Sequence, residues 1–323
     1  VYPIVKDREG GIWIGTFYGG VNYLSPNTGQ FECFAHSRFS NSVNGTVIGR
    51  FCEDTYGHIW IASDDGGLSC FSPKDKHFTH YLPDEHGNSL SYHNVHALCM
   101  DGDDLWIGTY TGGVNVLNTK TGGFRIYTTK AGDPTTLDRS SSYAIFKDRE
   151  ARSWVTSMSG VNLYNREEDN FTRIRDLGSW IMDIDQDADG NIWFSSQGNG
   201  LFKYNPDKQE WTNYVHSNAP GALINDQVNC VLIDGNGEMW IGTMNGLCKY
   251  NAKEDQFELI PLDIPSSNIC AIIEDQRVLW LTTTKGLVRY TPEESCQVFT
   301  RSAGLQSEQF LVNAALKASD GKI

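Results

Sequence analysis

Short apolar segments recur along the chain, separated by polar turns that contain glycine. In the first forty residues these segments are, in order, 2–6, 11–16, 21–24 and 31–34. Segments of this length, rich in β-branched and aromatic residues and bounded by turns, predict β-strands, here named a, b, c and d. Strand b is apolar at consecutive positions rather than at alternate ones, which indicates a sheet that is covered on both faces.

The four-strand pattern repeats, and one tryptophan marks each copy. Its fullest form is Asp7-Arg-Glu-Gly10-Gly-Ile-Trp13-Ile-Gly-Thr16, followed by Gly19-Gly20-Val21. The equivalent residues are Trp13, Trp60, Trp106, Trp154, Trp193, Trp240 and Trp280, with gaps of 47, 46, 48, 39, 47 and 40 residues. A period of about 40–50 residues with β composition is typical of a propeller blade. We interpret these tryptophans as structural, because a residue kept in every copy serves packing.

Seven copies predict an all-β fold, a seven-bladed β-propeller of four-stranded antiparallel blades. The propeller is expected to span residues 1–305. The predicted blades cover approximately 1–46, 47–94, 95–141, 142–179, 180–226, 227–267 and 268–305. Residues 306–323 are expected to be a truncated further repeat or a closing strand. We expect the chain to be a segment of a longer protein, cut at both ends.

The repeated text Asp-x-x-Gly-x-Ile-Trp-Ile-Gly-Thr, followed by Gly-Gly-Val or Gly-Gly-Leu, resembles the two-component regulator propeller repeat. The resemblance covers residues 1–300 and extends over all seven copies. The family forms the periplasmic sensor region of hybrid two-component histidine kinases, mainly in gut Bacteroidetes. This chain resembles the second, C-terminal propeller of such a sensor.

The resemblance implies a function and a set of partners. It implies a non-enzymatic, periplasmic segment that senses glycan oligosaccharides and transmits a conformational signal across the membrane. It also implies a preceding propeller, a following Ig-like domain, and a homodimer in the parent protein, whose other parts would include the membrane helix and the kinase.

Composition narrows the classes of partner. The formal net charge of −14 argues against a broad nucleic-acid interface. The eight cysteines form no Cys-x-x-Cys pair and most lie within apolar segments, so we expect buried free thiols. No apolar run approaches the roughly 20 residues of a membrane-spanning helix. The sequence predicts neither a metal nor a cofactor.

A ligand site is expected where the repeat is least regular. Antiparallel order places the b–c and d–a connections at one face, and the d–a connections vary most, at 37–45, 82–94, 128–142 and 216–226. Variable loops on a rigid scaffold are the usual place for recognition. Aromatic candidates for stacking on sugar rings are Tyr18, Tyr110 and Trp180. Basic candidates for an anionic sugar are Arg38, Arg50, Arg139 and Lys285.

Two other functions stay open at this point. The chain could be a propeller glycoside hydrolase or lyase, for which His93-x-x-His96 is the only suggestive histidine pair. It could also be a protein-docking propeller without a small ligand. Cleavage of a glycan would favour the first alternative, and failure to bind any glycan would favour the second.

Overall fold

The fold is a seven-bladed β-propeller, as predicted. The computed structural model describes residues 4–6, 12–16, 20–24, 31–37, 41–85, 87–275, 277–292, 296–303, 305 and 307–312. Their strands form seven four-stranded antiparallel sheets, and in each sheet consecutive strands pair. The chain divides into two compact units, one of residues 34–181 and the other of residues 1–33 with 182–323.

Each blade is a meander of strands a to d. Blade 1 holds β1 (Ile4–Lys6), β2 (Ile12–Thr16), β3 (Gly20–Leu24) and β4 (Phe31–Phe34). Blade 2 holds β5 (Ile48–Glu53), β6 (Ile59–Ser63), β7 (Gly67–Ser72) and β8 (His77–Tyr81). Blade 3 holds β9 (Val95–Asp101), β10 (Asp104–Thr109), β11 (Val114–Asn118) and β12 (Phe124–Tyr127). Blade 4 holds β13 (Ile145–Lys147), β14 (Ser153–Ser157), β15 (Gly160–Asn165) and β16 (Asn170–Asp176).

The remaining three blades repeat this order. Blade 5 holds β17 (Ile181–Gln186), β18 (Ile192–Ser196), β19 (Leu201–Asn205) and β20 (Glu210–Tyr214). Blade 6 holds β21 (Val228–Ile233), β22 (Met239–Thr243), β23 (Gly246–Asn251) and β24 (Gln256–Ile260). Blade 7 holds β25 (Ile269–Asp275), β26 (Val278–Thr283), β27 (Gly286–Tyr290) and β28 (Gln297–Phe299), followed by a 3-10 turn at Arg301–Ala303.

The core lies between neighbouring blades. Strand b is buried at all five positions in blades 1, 2, 4, 5 and 6, which agrees with its continuous apolar pattern. Clusters of buried side chains join blade 2 to blade 3 and blade 3 to blade 4 in one unit, and blade 5 to blade 6 and blade 6 to blade 7 in the other. The seven tryptophans that mark the repeats all belong to this core, each with 0–7 % of its surface exposed.

Four of these tryptophans are hydrogen-bonded to the aspartate that opens the a–b turn. The indole Nε1 atoms of Trp60, Trp154, Trp193 and Trp240 donate at 2.8–3.0 Å to Asp54, Asp148, Asp187 and Asp234, respectively. The other oxygen of each carboxylate accepts backbone N–H groups of its own turn, as Asp54 does from Tyr56 and His58. One aspartate thus holds the turn and the indole together.

Blades 3 and 7 have an a–b turn that is one residue shorter, and this bond is absent there. Asp101 pairs with Asp104, and Asp275 pairs with Val278, across two-residue turns. The Nε1 atoms of Trp106 and Trp280 are buried without a hydrogen-bond partner among the described residues. These two aspartates contact a lysine of another blade in the same unit. Asp101 contacts Lys147, and Asp275 contacts Lys6 at 3.4 Å.

A second shared contact lies at the c–d turn. Tyr127 of blade 3 and Tyr164 of blade 4 both donate to Asp169 Oδ1 at 2.5 Å, and Tyr214 and Tyr250 donate in the same way to Asp255. Asp169 and Asp255 each have a φ of 53°, the left-handed conformation that glycine adopts most easily. These phenol hydrogen bonds lower the pKa of both carboxyls.

The residues after blade 7 follow the pattern of a d–a connection. The Gly286 amide donates to the Glu308 carbonyl, as the Gly113 amide of blade 3 donates to that of Ser140. The Phe310 amide donates to Thr283, as that of Ser142 donates to Thr109. Residues 308 and 310 therefore make the contacts of a d–a connection, and the role of residues 306–323 stays a prediction, since 306 and 313–323 lie outside the described part.

The seven cysteines whose side chains are described are free thiols, as predicted. They are buried or half-buried, and burial raises the pKa of Cys99, Cys248 and Cys270 to about 11. These thiols are therefore protonated at neutral pH and act as small apolar side chains.

Candidate ligand-binding site

Each blade has two chemically different ends. The end that carries the a–b and c–d turns is here called the turn end, and it repeats from blade to blade. The end that carries the b–c and d–a connections is called the loop end. Its d–a connections run from four residues, 177–180, to seventeen residues, 128–144. The irregular chemistry of the molecule therefore lies at the loop end, where the sequence predicts recognition.

A bulge in blade 3 sets the position of His96. Gly108 pairs with Ala97 and Thr109 pairs with Val95, so His96 between them is the extra residue of β9. A bulge of this kind changes the direction of a side chain relative to the regular ladder. His96 Nδ1 lies 3.2 Å from Asp64 Oδ1, which belongs to the b–c connection of blade 2.

Four aromatic rings gather beside this pair. His96 stacks on Tyr143 with ring centroids 4.4 Å apart and planes at 23°, and Tyr143 stacks on Trp180 at 5.2 Å and 22°. Tyr110 meets His96 edge-on at 6.0 Å. We call His96, Tyr110, Tyr143 and Trp180 the aromatic array. All four residues and Asp64 belong to the 34–181 unit.

The repeat explains the order of the array. His96 lies five residues before Asp101 of its a–b turn, and Tyr143 lies five residues before Asp148. These equivalent positions at the start of neighbouring strands place the two rings side by side. Blade 2 has Gly49 at this position, where a Cβ atom would lie 3.7 Å from Asp64 Oδ1. The glycine therefore leaves space in front of the carboxylate.

Two members of the array are accessible and one is shielded. Tyr110 is 43 % exposed and Trp180 is 40 % exposed, high values for large aromatic side chains. Tyr143, between His96 and Trp180, is half-buried. Burial, and then the nearby Tyr110 and Asp64, raise the pKa of Tyr143 to about 12. The array therefore presents two accessible aromatic rings, Tyr110 and Trp180, near the carboxylate of Asp64.

Buried polar atoms without partners lie next to the array. Asn94 Oδ1, His96 Nε2 and Ser142 Oγ have no hydrogen-bond partner within the described residues. Asn94 and Ser142 flank the end of β10, since the Tyr110 amide donates to the Asn94 carbonyl and the Ser142 amide donates to that of Thr109. An unmet hydrogen bond of a buried group has a free-energy cost, so each such atom needs an explanation.

The structure brings two of the predicted site residues together. Tyr110 and Trp180 share the array. Arg50 lies in β5, where its charge acts on Cys99, and Arg139 is exposed near Asp176. Lys285 is exposed and belongs to the other unit. Tyr18 and Arg38 lie outside the described residues.

Sequence reasoning missed Tyr143, the residue that connects the others. Its spacing from Asp148 is the signal that could have identified it, because the same spacing selects His96 in blade 3. Asp65, beside Asp64, has a structural role, since it accepts the amides of Thr46 and Val47. Although partial burial opposes the effect, hydrogen bonds from Thr46, Ser63 and Val47 lower the pKa of Asp65.

The outer edges of the blades carry two shallow grooves, each defined by its lining residues. One of about 510 Å³ lies over Tyr214, Tyr250 and Asp255, and one of about 590 Å³ lies over Trp60, His77 and Tyr81. Both grooves adjoin the repeated turn-end contacts. Their lining side chains already bond to one another there, as in the Tyr214–Asp255–Tyr250 set.

The histidine pair of the enzyme alternative does not converge. His93 is exposed, whereas His96 contacts Asp64 and Tyr143. In the described part of the chain no three His, Cys, Asp or Glu side chains form a group suited to a metal ion. That part also holds no helix with the length and hydropathy that crossing a bilayer requires.

Comparison with known proteins relates this chain to proteins of two-component systems. The family described as two-component regulator propeller matches residues 89–111 and 222–245, which confirms the resemblance carried by the repeats. Histidine kinase P4 of Formosa agariphila is 25 % identical over 187 residues, which cover 54 % of this chain and 13 % of that protein.

Two solved structures share the fold at low sequence identity. The extracellular domain assigned to a hybrid two-component system of B. thetaiotaomicron is 22 % identical with a TM-score of 0.71, and the match covers 82 % of this chain and 37 % of that one. PorZ, a surface component of the type-IX secretion system of Porphyromonas gingivalis, is 15 % identical with a TM-score of 0.65. That match covers 95 % of this chain and 49 % of PorZ. The chain thus spans well under half the length of the first two relatives.

Proposed function

We propose that this chain is a ligand-sensing propeller from the extracytoplasmic region of a hybrid two-component sensor kinase. The relatives that are sensors or histidine kinases support this assignment. In this proposal the segment lies in the periplasm and is not itself catalytic. The parent protein adds a preceding propeller, an Ig-like domain, a membrane helix and a kinase, and works as a homodimer.

The ligand of this proposal is a glycan oligosaccharide, bound at the loop end of blades 2–4. One observation carries it: Trp180 and Tyr110 are exposed, and His96 and Tyr143 connect them into one array. Flat apolar rings with a few polar groups at their edge suit the apolar faces and hydroxyl rims of sugars. Within this proposal, Arg50 and Arg139 contribute at most peripheral contacts, and Tyr18, Arg38 and Lys285 stay predicted contacts.

In this proposal, signal transmission depends on the fact that the array is built from residues of several blades. Asp64 belongs to blade 2, His96 to blade 3 and Tyr143 to the start of blade 4, while Trp180 precedes blade 5. A ligand on the array contacts several blades at once and favours one arrangement of them. It shifts that equilibrium only by the difference between its affinities for the two arrangements.

Calorimetric titration of the extracytoplasmic region with a panel of oligosaccharides, followed by product analysis, tests this function. We expect at least one oligosaccharide to bind intact, and Trp180→Ala to weaken that binding about tenfold or more. Tyr56→Ala is the matched control, because Tyr56 is 55 % exposed but lies at the turn end. Cleavage of the ligand would favour a hydrolase or lyase, and binding of no glycan would favour a protein-docking propeller.

A further inference from the structure

The electrostatics of the array discriminate between classes of sugar. Asp64 contacts His96, and its charge adds to the effect of burial and of Tyr110 in raising the pKa of Tyr143. Three basic side chains of the same unit are engaged elsewhere: Arg173 donates to carbonyls of the 128–144 connection, and Lys147 and Arg166 pair with Asp101. Arg139 is exposed and lies near Asp176. A carboxylate on the ligand that lies against Asp64 would be repelled by its charge.

The spacing of the rings sets a minimum length for the ligand. Two consecutive stacks, at 4.4 Å and 5.2 Å, separate the His96–Asp64 pair from Trp180. A single sugar ring that stacks on the exposed Trp180 does not reach Asp64. A ligand that contacts both ends of the array therefore carries more than one ring.

The carboxylate beside the array is suited to hydroxyl groups. Asp64 has part of its side-chain surface open to solvent. Hydroxyls of a polyol donate to its oxygens, whereas an anionic group offers only acceptors, which a carboxylate cannot use.

We infer that the loop end of blades 2–4 is a subsite for an uncharged oligosaccharide of at least two rings. Trp180 is the platform for one ring, Asp64 accepts the hydroxyls of another, and acidic sugars are disfavoured. This inference rests on the proposed function and deepens it by naming the ligand class.

Matched pairs of oligosaccharides that differ only at C6 test the inference. The probes are a galacto-oligosaccharide and a galacturono-oligosaccharide of equal linkage and length, with the corresponding gluco and glucurono pair. Titrated into the extracytoplasmic region, the neutral member of the recognised pair is expected to bind about tenfold or more tightly than the acidic member, given that like charges in close contact repel. Asp64→Asn should reduce this ratio to about threefold or less, because the amide keeps an acceptor oxygen and removes the charge.

Asp103→Asn is the matched control, since Asp103 lies in the same unit at the turn end of blade 3 and should leave the ratio unchanged. Trp180-dependent binding in which the acidic member equals or exceeds the neutral member would overturn the inference and leave the proposed function standing. The same holds if Asp64→Asn leaves the ratio unchanged. If no member of either pair binds, the glycan ligand itself is wrong.

Discussion

The two ends of the blades follow different rules. At the turn end the same contact recurs, an aspartate that binds its own turn and the indole of Trp60, Trp154, Trp193 or Trp240. At the loop end the strands begin with different side chains, and three buried polar atoms beside the array lack partners within the described residues. The difference teaches that repetition marks stability, whereas its interruption marks the place where a ligand is expected.

The turn end contains a second comparison. Trp106 of blade 3 and Trp193 of blade 5 have nearly the same surroundings: each stacks on one tyrosine, at 5.9 Å and 5.6 Å, and meets a second one edge-on. Of these two indoles, Trp193 donates to an aspartate and Trp106 does not. A turn shorter by one residue has changed which group the aspartate binds while leaving the ring in its place.

The largest expected effect is the difference in stability between a buried-tryptophan variant and a variant at the loop end. Trp193→Ala removes a side chain that is 0 % exposed, and we expect it to lower the free energy of unfolding by about 3–5 kcal/mol. Trp180→Ala should lower it by only the value of its aromatic contact, about 0.5–1.5 kcal/mol. Urea denaturation of both variants measures the two values. Equal losses would contradict the separation of structural from accessible tryptophans.

A smaller effect distinguishes the two kinds of turn. Trp193→Phe removes the indole donor of Asp187 Oδ2, which keeps the Asn191 side-chain amide, whereas Trp106→Phe removes an N–H that has no partner among the described residues. Since both rings lose similar apolar area, we expect Trp193→Phe to cost about 0.5–1.5 kcal/mol more than Trp106→Phe, the value of one hydrogen bond. Paired urea denaturation curves test this difference, and a larger loss for Trp106→Phe would refute it.

The c–d turn gives a smaller effect that depends on pH. Hydrogen bonds from Tyr127 and Tyr164 lower the pKa of Asp169, so its contribution is present above the unfolded pKa of about 3.9 and is lost as pH falls through the folded pKa. Asp169→Gly removes the carboxylate and keeps a left-handed backbone, as in the equivalent Gly122 of blade 3. We expect the variant to be less stable than the wild type at pH 7 and equally stable near pH 2, by urea denaturation. A difference that persists at pH 2 would assign the effect to the backbone.

Much of the fold could be predicted because local periodicity specifies it. The four segments of the first repeat coincide with β1–β4 wherever these are described, and strand b is buried on both faces as its apolar run indicates. Sequence also revealed the shortened turns of blades 3 and 7. It did not reveal their consequence, because the partner of Asp101 comes from another blade, 46 residues later along the chain.

The candidate site was only partly predictable, for a related reason. Tyr110 and Trp180 could be selected because they are aromatic residues in variable connections. The roles of Tyr143 and His96 depend on contacts between blades, which join residues far apart in the sequence. Conversely, Arg50, Arg139 and Lys285 matched the expected chemistry, and their part in binding stays a prediction.

The central claim is that the accessible tryptophan at the loop end, and not the aromatic residues of the turn end, contacts a ligand. Calorimetric titration of the recognised oligosaccharide into wild type, Trp180→Ala and Tyr56→Ala tests it most directly. The account predicts an affinity loss of about tenfold or more for Trp180→Ala, with unchanged affinity for Tyr56→Ala. Unchanged affinity in Trp180→Ala, or an equal loss in both variants, would contradict it.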